Sequence, residues 1–63
     1  MDELVIWAIG QYWKEHGYAP AVRDICALVD ISTATVHYYM VKLRKQGRVT
    51  YEDGKPRTLR LVG

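Results

Sequence analysis

The segment from Ser32 to Leu43 constrains the fold most, because it has the pattern of a helix with two unlike faces. Ser32 is of a residue type that caps helix N-termini. Apolar side chains follow it at helical spacing, at Val36, Met40 and Leu43. The other face carries small hydroxyl groups, a histidine and tyrosines. A helix that is buried on one side and presents short polar side chains from its first turns fits the major groove of DNA. We predict that the rest of the chain supports this helix.

The length of the chain allows one small domain, which we predict over residues 1–63. Its 49% hydrophobic and 25% charged residues indicate a globular protein rather than a disordered one. A single cysteine, Cys26, cannot form an internal disulfide, which is typical of a reducing compartment. No apolar run has the length of a membrane span, and the N-terminus lacks the basic start of a signal peptide. We therefore expect a cytoplasmic protein with no membrane partner.

Charge is distributed unevenly along the chain. Residues 1–41 hold two basic and five acidic side chains, whereas residues 42–63 hold seven basic and two acidic ones. Such asymmetry is typical of a pole that binds a polyanion, although a merely solvated basic tail gives the same pattern. Charge alone does not decide between these two interpretations.

Three amphipathic segments predict three helices, at about residues 2–16, 21–29 and 33–46. Gly17 and Gly47 follow the first and third segments, where a left-handed residue commonly ends a helix. Asp30 lies in the turn between the second and third segments. Since aspartate adopts positive φ at modest cost, we expect Asp30 to do there what glycine usually does.

The periodicity changes after Gly47. Alternating residues rich in strand formers predict two strands, at about residues 48–52 and 58–62. The Asp53-Gly54 pair between them is a strong turn signal. Three helices followed by a β-hairpin predict an α+β fold, mostly α, with the winged helix-turn-helix architecture.

Three blocks of sequence then match a known family in order and spacing. They are Gly17-Tyr18-Ala19-Pro20-Ala21-Val22-Arg23-Asp24-Ile25, the segment 32–43 with its Thr35-Val36-His37, and Gly54-Lys55-Pro56-Arg57 ahead of Leu59-Arg60-Leu61. With these blocks the chain resembles the N-terminal DNA-binding domain of LexA-type repressors over nearly its whole length. The resemblance implies a sequence-specific double-stranded DNA-binding regulator of transcription, most simply a repressor, associated with the nucleoid.

The chain departs from the family pattern in three ways. Ala21 stands where the family usually has a capping serine or threonine, and Asp30 stands where it has glycine. The self-cleaving peptidase domain of LexA repressors has no counterpart in these 63 residues, so we do not carry self-cleavage over. A piece cut from a longer LexA-like repressor would have the same sequence features.

The resemblance assigns the groove-facing places of the recognition helix to six residues, which are Ser32, Thr33, Ala34, Thr35, His37 and Tyr38. Their chemistry agrees, because hydroxyl groups at a helix N-terminus suit phosphate and histidine donates to or accepts from base edges. A plain N-cap at Ser32 and a solvent-facing His37 are the simpler alternatives. Tyr39 is expected to flank the core, whereas Tyr38 points outward.

Basic residues complete the predicted DNA-binding surface. Lys42, together with Arg44 and Lys45, is expected to neutralise phosphates, unless these side chains are only solvated. Lys55 and Arg57, across the rigid Pro56 at the hairpin tip, are expected to contact the DNA backbone or minor groove.

Other functions find less support in the sequence. Two histidines and one cysteine on different elements do not form a metal set, and nothing supplies a catalytic pocket, so we predict no metal, no cofactor and no enzyme activity. The alternative is a winged-helix interaction module for a repressor or polymerase partner, which outward-facing Trp7 and Leu28 favour. A second copy of the chain on palindromic DNA is a further predicted partner, with Trp7 as its contact.

Overall fold

The structure is a computed structural model that describes residues 1–62. Gly63, the last residue of the predicted domain, lies outside the described residues. The elements, in chain order, are α1 (Asp2–His16), α2 (Val22–Val29), α3 (Thr33–Lys45), β1 (Val49–Thr50) and β2 (Arg60–Leu61). The two strands pair antiparallel in one hairpin. This order confirms the predicted α+β, mostly helical, winged helix-turn-helix architecture.

One apolar core joins the three helices to the hairpin. α1 supplies Val5, Ala8 and Ile9, each fully buried, at the three- and four-residue spacing of one helical face. The other members of this core are Ile25 of α2, Val36, Met40 and Leu43 of α3, and Val49 and Leu59 of the hairpin. Each helix, β1 and the wing therefore bury part of themselves against the others, which a domain of 63 residues requires.

α2 begins without a hydroxyl cap, because Ala21 has none to offer. The Asp24 side chain makes the other bond of a capping box, since its Oδ2 accepts the Ala21 N–H at 2.9 Å. Ala21 itself has extended backbone, so α2 begins at Val22, one residue later than predicted. At the other end Asp30 is left-handed at φ 53°, as predicted, and its N–H donates to the Cys26 carbonyl at 2.8 Å.

α3 ends at Lys45, one residue before its predicted end. Gly47 is left-handed at φ 74°, and its N–H donates to the Arg44 carbonyl at 3.0 Å. The Arg48 N–H donates to the Leu43 carbonyl at 3.0 Å. These two bonds form a Schellman motif, which satisfies the last carbonyls of the helix and turns the chain into β1.

The strands are much shorter than predicted. Pairing covers only Val49 with Leu61 and Thr50 with Arg60, so the predicted strands over 48–52 and 58–62 were too long. We call the connection between them, residues 51–59, the wing.

One side chain takes a bond that would have extended the ladder into the wing, and another bonds to the outer edge of the returning segment. The Glu52 N–H donates to Thr58 Oγ1 at 2.8 Å, and the indole N–H of Trp13 donates to the Leu59 carbonyl at 3.1 Å. Arg57 is left-handed at φ 58°, which breaks the extended conformation of the returning strand. The wing is therefore an irregular loop on a short hairpin.

Candidate nucleic-acid interface

α3 has the two faces that its sequence predicts. Val36, Met40 and Leu43 are buried on one side. The opposite side forms a shallow exposed groove, lined by Ala34, His37, Tyr38, Val41, Lys42 and Lys45. We call these six side chains the α3 groove. Their spacing of three and four residues places them along one line of the helix, as a surface that enters a DNA groove requires.

Side chains at the start of α3 hold its first turn. Ser32 Oγ accepts the Thr35 N–H at 3.2 Å, and the two hydroxyl oxygens lie 2.9 Å apart in a hydrogen bond. Ser32 is thus an N-cap, while Thr33 and Ala34 are exposed beside it. The partial positive charge and unpaired N–H groups of a helix N-terminus suit a phosphate. Contact of these residues with DNA stays a prediction.

The middle of α3 carries two tyrosines with different environments. Tyr38 is 62% exposed, whereas Tyr39 packs against the core, as the sequence predicts. Their ring centroids lie 5.0 Å apart at 83°, an edge-to-face contact that orients the exposed phenol.

Lys42 is positioned by α1. Its Nζ lies 3.2 Å from Asp2 Oδ1 and 5.5 Å from the centre of the Tyr39 ring. The hydrogen bond to Asp2 raises the pKa of Lys42, so its ammonium remains charged at neutral pH. The α3 groove therefore has a fixed cation on its flank, already paired with a carboxylate.

The basic segment, residues 42–63, does not form an unpaired basic pole on the surface that the structure describes. Five of its seven cations form ion pairs, which are Lys42–Asp2 at 3.2 Å, Arg44–Asp53 at 3.2 Å, Arg48–Glu3 at 2.8 Å, Lys55–Glu52 at 3.7 Å and Arg57–Asp24 at 3.4 Å. Three of these acids come from the acidic residues 1–41. Folding thus pairs much of the charge that the sequence separates, and counting charges along the chain overstates what remains for a polyanion.

The wing stands beside α3, and a second groove runs between them. His37 and Val41 line it from the helix, and Tyr51, Lys55 and Pro56 are among the wing residues that face them. Lys55 is exposed, and its pair with exposed Glu52 is loose. His37 therefore borders both grooves, where a ligand seated on α3 would also meet the wing.

Arg44 holds the first part of the wing to α3. Its Nη1 donates to the Tyr51 carbonyl at 3.4 Å and to Asp53 Oδ1 at 3.2 Å. Its guanidinium carbon lies 4.1 Å from the centre of the Tyr51 ring. The sequence predicts that Arg44 neutralises phosphate, and the structure adds contacts within the chain that no local pattern indicates.

Arg57 reaches away from the tip of the wing toward the helices. Its Nη1 donates to the Ala19 carbonyl at 3.0 Å, and lies 3.4 Å from both Tyr12 OH and Asp24 Oδ2. The guanidinium carbon lies 5.1 Å from the centre of the Tyr18 ring. These bonds give the Arg57 side chain a role within the fold. Its contact with DNA stays a prediction.

The structure brings together part of the predicted site. Ala34, His37, Tyr38 and Lys42 share the α3 groove, and His37 shares the second groove with Lys55. Ser32, Thr33 and Thr35 lie at the N-terminal turn, and Arg57 borders neither of these two grooves. Val41 was missed, because an exposed valine has no polar signal. The four-residue spacing between His37 and Val41 places both on one helical face, so this spacing could have identified Val41.

Residues 1–62 contain no group of three or more histidine, cysteine, aspartate or glutamate side chains arranged to hold a metal ion. Among the helices described, none is long and apolar enough to cross a bilayer.

Comparison with known proteins agrees with this architecture. The family model described as "LexA DNA binding domain" matches residues 3–58. The LexA repressor of Acetivibrio thermocellus is 48% identical over 62 residues, which cover 97% of this chain and 29% of that protein. The LexA repressor of Caldicellulosiruptor saccharolyticus is 44% identical over 62 residues, which cover 97% of this chain and 31% of that protein. The LexA repressor of Carboxydothermus hydrogenoformans is 39% identical over 62 residues, which cover 97% of this chain and 30% of that protein. The chain thus spans about three tenths of the length of these relatives.

Proposed function

The chain belongs to the LexA DNA-binding domain family, and from that premise we propose that it binds double-stranded DNA sequence-specifically and represses transcription by occupying promoter sites. The α3 groove carries this proposal, because exposed His37 and Tyr38 stand on a helix whose other face is locked into the core. A rigid helix with an outward line of short side chains is what direct readout in the major groove needs. We place this activity at the bacterial nucleoid.

Base readout is assigned to the outward side chains from the first turn to the middle of α3. The His37 imidazole donates to or accepts from a base edge, and the side chains of Ala34 and Val41 offer apolar contact to thymine methyl groups. The Thr35 hydroxyl is already bonded to Ser32, so Thr35 contributes its methyl group or shares its hydroxyl.

Backbone contacts are assigned to the ends of the surface. The first turn of α3, with Ser32 and Thr33, would approach a phosphate through its N–H and hydroxyl groups. Tyr38 and Lys42 would approach the flanking backbone, and Lys55 would approach it from the wing. Since Lys42 and Lys55 are paired with carboxylates, phosphates must compete with Asp2 and Glu52 for them.

Selection of bound sequences from a random pool of duplex DNA tests the proposed function directly. We expect recovery of a short motif of a few base pairs. Recovery of no motif would refute sequence-specific binding and favour the alternative of a protein-interaction module.

Loss of the Lys55 charge should weaken specific and non-specific binding together, because a phosphate contact carries no sequence information. In Lys55→Ala the slope of log affinity against log salt concentration should fall by about one unit. Titration of one specific and one unrelated duplex at several salt concentrations measures both effects. Lys14→Ala, which removes an exposed cation from α1, is the matched control and should leave the slope unchanged. An unchanged slope in Lys55→Ala would place the wing away from DNA.

We also propose that two copies of the chain occupy palindromic DNA together, because one recognition helix reads only a few base pairs. Trp7 is the candidate contact between copies. It is 52% exposed, and Leu4, one turn earlier on α1, is 41% exposed. An exposed tryptophan is a residue type that protein contacts commonly use.

Cooperative filling is the expected result when one half-site is compared with two correctly spaced half-sites. Trp7→Ala should reduce the cooperativity without changing affinity for the single half-site. Independent filling of the two half-sites would contradict the proposed pairing. Cooperativity that survives Trp7→Ala would place the contact elsewhere on the chain.

A further inference from the structure

Arg57 joins three separate parts of the chain to the wing. Its guanidinium reaches Tyr12 in α1, Ala19 in the connector after α1, and Asp24 in α2. These residues precede it by 33 to 45 positions. No other wing side chain makes a described hydrogen bond to α1, α2 or the connector between them.

The partners of Arg57 are themselves well fixed. Tyr12 is 8% exposed and belongs to the buried face of α1. Asp24 Oδ2 also accepts the Ala21 N–H that begins α2. That bond, with a contribution from Arg57, lowers the pKa of Asp24 below its usual value, so the carboxylate stays ionised at neutral pH. Arg57 therefore bonds to a surface that exists for other reasons, at the start of the helix-turn-helix unit.

The wing needs such a contact, because its own backbone does little to position it. The hairpin ladder covers two residue pairs, and the nine residues of the wing have no strand pairing. Arg44 holds the first part of the wing at Tyr51 and Asp53. The returning part, which follows Lys55, is tied to the helices by Arg57 and, next to β2, by the buried Leu59, whose carbonyl accepts the Trp13 indole N–H.

The left-handed backbone of Arg57 agrees with this role. A non-glycine residue rarely adopts a φ of 58°, and such conformations persist where surrounding contacts impose them. A phosphate contact alone would not need the three bonds that the Arg57 side chain makes toward α1, α2 and their connector.

We propose that Arg57 is a positioning residue, which holds the wing against α1 and α2 and thereby sets the place of Lys55 beside α3. This inference rests on the proposed DNA binding, and it gives Arg57 a different role from the direct DNA contact that its sequence position predicts. Arg57 acts through Lys55, so the two residues should behave as one unit in DNA binding.

The test uses Arg57→Lys, which keeps the charge but loses the planar guanidinium and its shared bonds. Amide hydrogen exchange in the DNA-free protein should accelerate about tenfold at Glu52 and Lys55, whose N–H groups are bonded within the wing. Exchange at buried Val36 should not change. Tyr12→Phe removes one acceptor and leaves Arg57 intact, so it should give a smaller acceleration at the same two sites.

DNA titrations with Arg57→Lys, Lys55→Ala and the double variant separate positioning from direct contact. Arg57→Lys should weaken binding several-fold, and the double variant should bind no worse than Lys55→Ala, because residues that act as a unit are not additive. Additive losses would overturn the proposal, since they would show an independent DNA contact for Arg57. Unchanged exchange at Glu52 and Lys55 would overturn it as well. Failure of the unchanged chain to bind any duplex would instead refute the proposed function, while the exchange data would still report whether Arg57 holds the wing.

Discussion

Replacing Leu43 with alanine should lower the free energy of unfolding of the domain by about 2–5 kcal/mol at 25 °C. Leu43 is fully buried on the inner face of α3, and truncation of a buried leucine costs about 2–5 kcal/mol. A domain of this size has a total free energy of unfolding of only about 3–9 kcal/mol. The loss therefore consumes a large share of what keeps the native state populated. Urea unfolding followed by tryptophan fluorescence and circular dichroism measures it.

Val41→Ala is the matched control for this prediction. Val41 lies two residues earlier on the same helix, is 40% exposed and lines the α3 groove. Its truncation should change the free energy of unfolding by about 0.5 kcal/mol or less, since it leaves no cavity. Equal destabilisation by Val41→Ala and Leu43→Ala would mean that α3 is buried on both faces, and its outer face would then be closed to DNA.

The helices could be predicted from the sequence because their determinants are local. The apolar spacing of Val36, Met40 and Leu43 identifies the buried face of α3, and Ser32 marks its start. Asp30 could be placed in a left-handed turn from its position between two amphipathic segments. Each of these features depends on residues within one or two helical turns, where a periodic pattern carries the information.

The hairpin was predicted less well because alternation does not reveal what competes with the ladder. Residues 58–62 alternate as a strand does, yet the Thr58 hydroxyl takes the Glu52 N–H that the ladder would have used, and the Trp13 indole bonds to the Leu59 carbonyl on the edge that faces away from β1. The second of these bonds joins residues 46 positions apart. Such a partner is known only after the chain has folded.

The same limit applies to the charges. The sequence separates an acidic part from a basic part, but the pairs Lys42–Asp2 and Arg48–Glu3 cross the fold from α1 to the end of α3 and beyond. These pairs are partly exposed, so each contributes modestly to stability. Their larger consequence concerns DNA. A cation that is already paired with a carboxylate gains less free energy when it contacts a phosphate. We therefore expect a salt dependence weaker than seven basic residues would suggest.

Part of the predicted site could be assigned from residue type and helical spacing, and part depends on how the chain packs. His37 and Tyr38 could be assigned to an exposed face from their spacing, and the structure places both in the α3 groove. Arg57 could not be assigned in this way. An arginine beside a turn predicts an outward charge, whereas its bonds to Tyr12, Ala19 and Asp24 depend on how α1 and α2 pack.

Replacing His37 with alanine should alter sequence preference at one or two base pairs. His37 borders both the α3 groove and the groove beside the wing, and its imidazole is the most versatile hydrogen-bonding group on that face. Loss of a base contact should cost about 1–3 kcal/mol on the selected site, a roughly 5- to 150-fold loss of affinity, with little change on unrelated DNA. Thr35→Ala is a less clean test, because it also removes the hydroxyl bonded to the Ser32 cap.

Competition titrations of the selected duplex and its single-base variants measure this effect. In His37→Ala, variants at the contacted base pair should bind as well as the original site, while variants elsewhere should keep their penalties. Lys45→Ala is the control, since it removes a charge from the same groove and should weaken all duplexes by a similar factor. If His37→Ala also weakened every sequence equally, His37 would be a backbone contact. Base discrimination would then belong to the apolar part of the face, at Ala34 and Val41, where a methyl group on thymine rather than a hydrogen bond would identify the site.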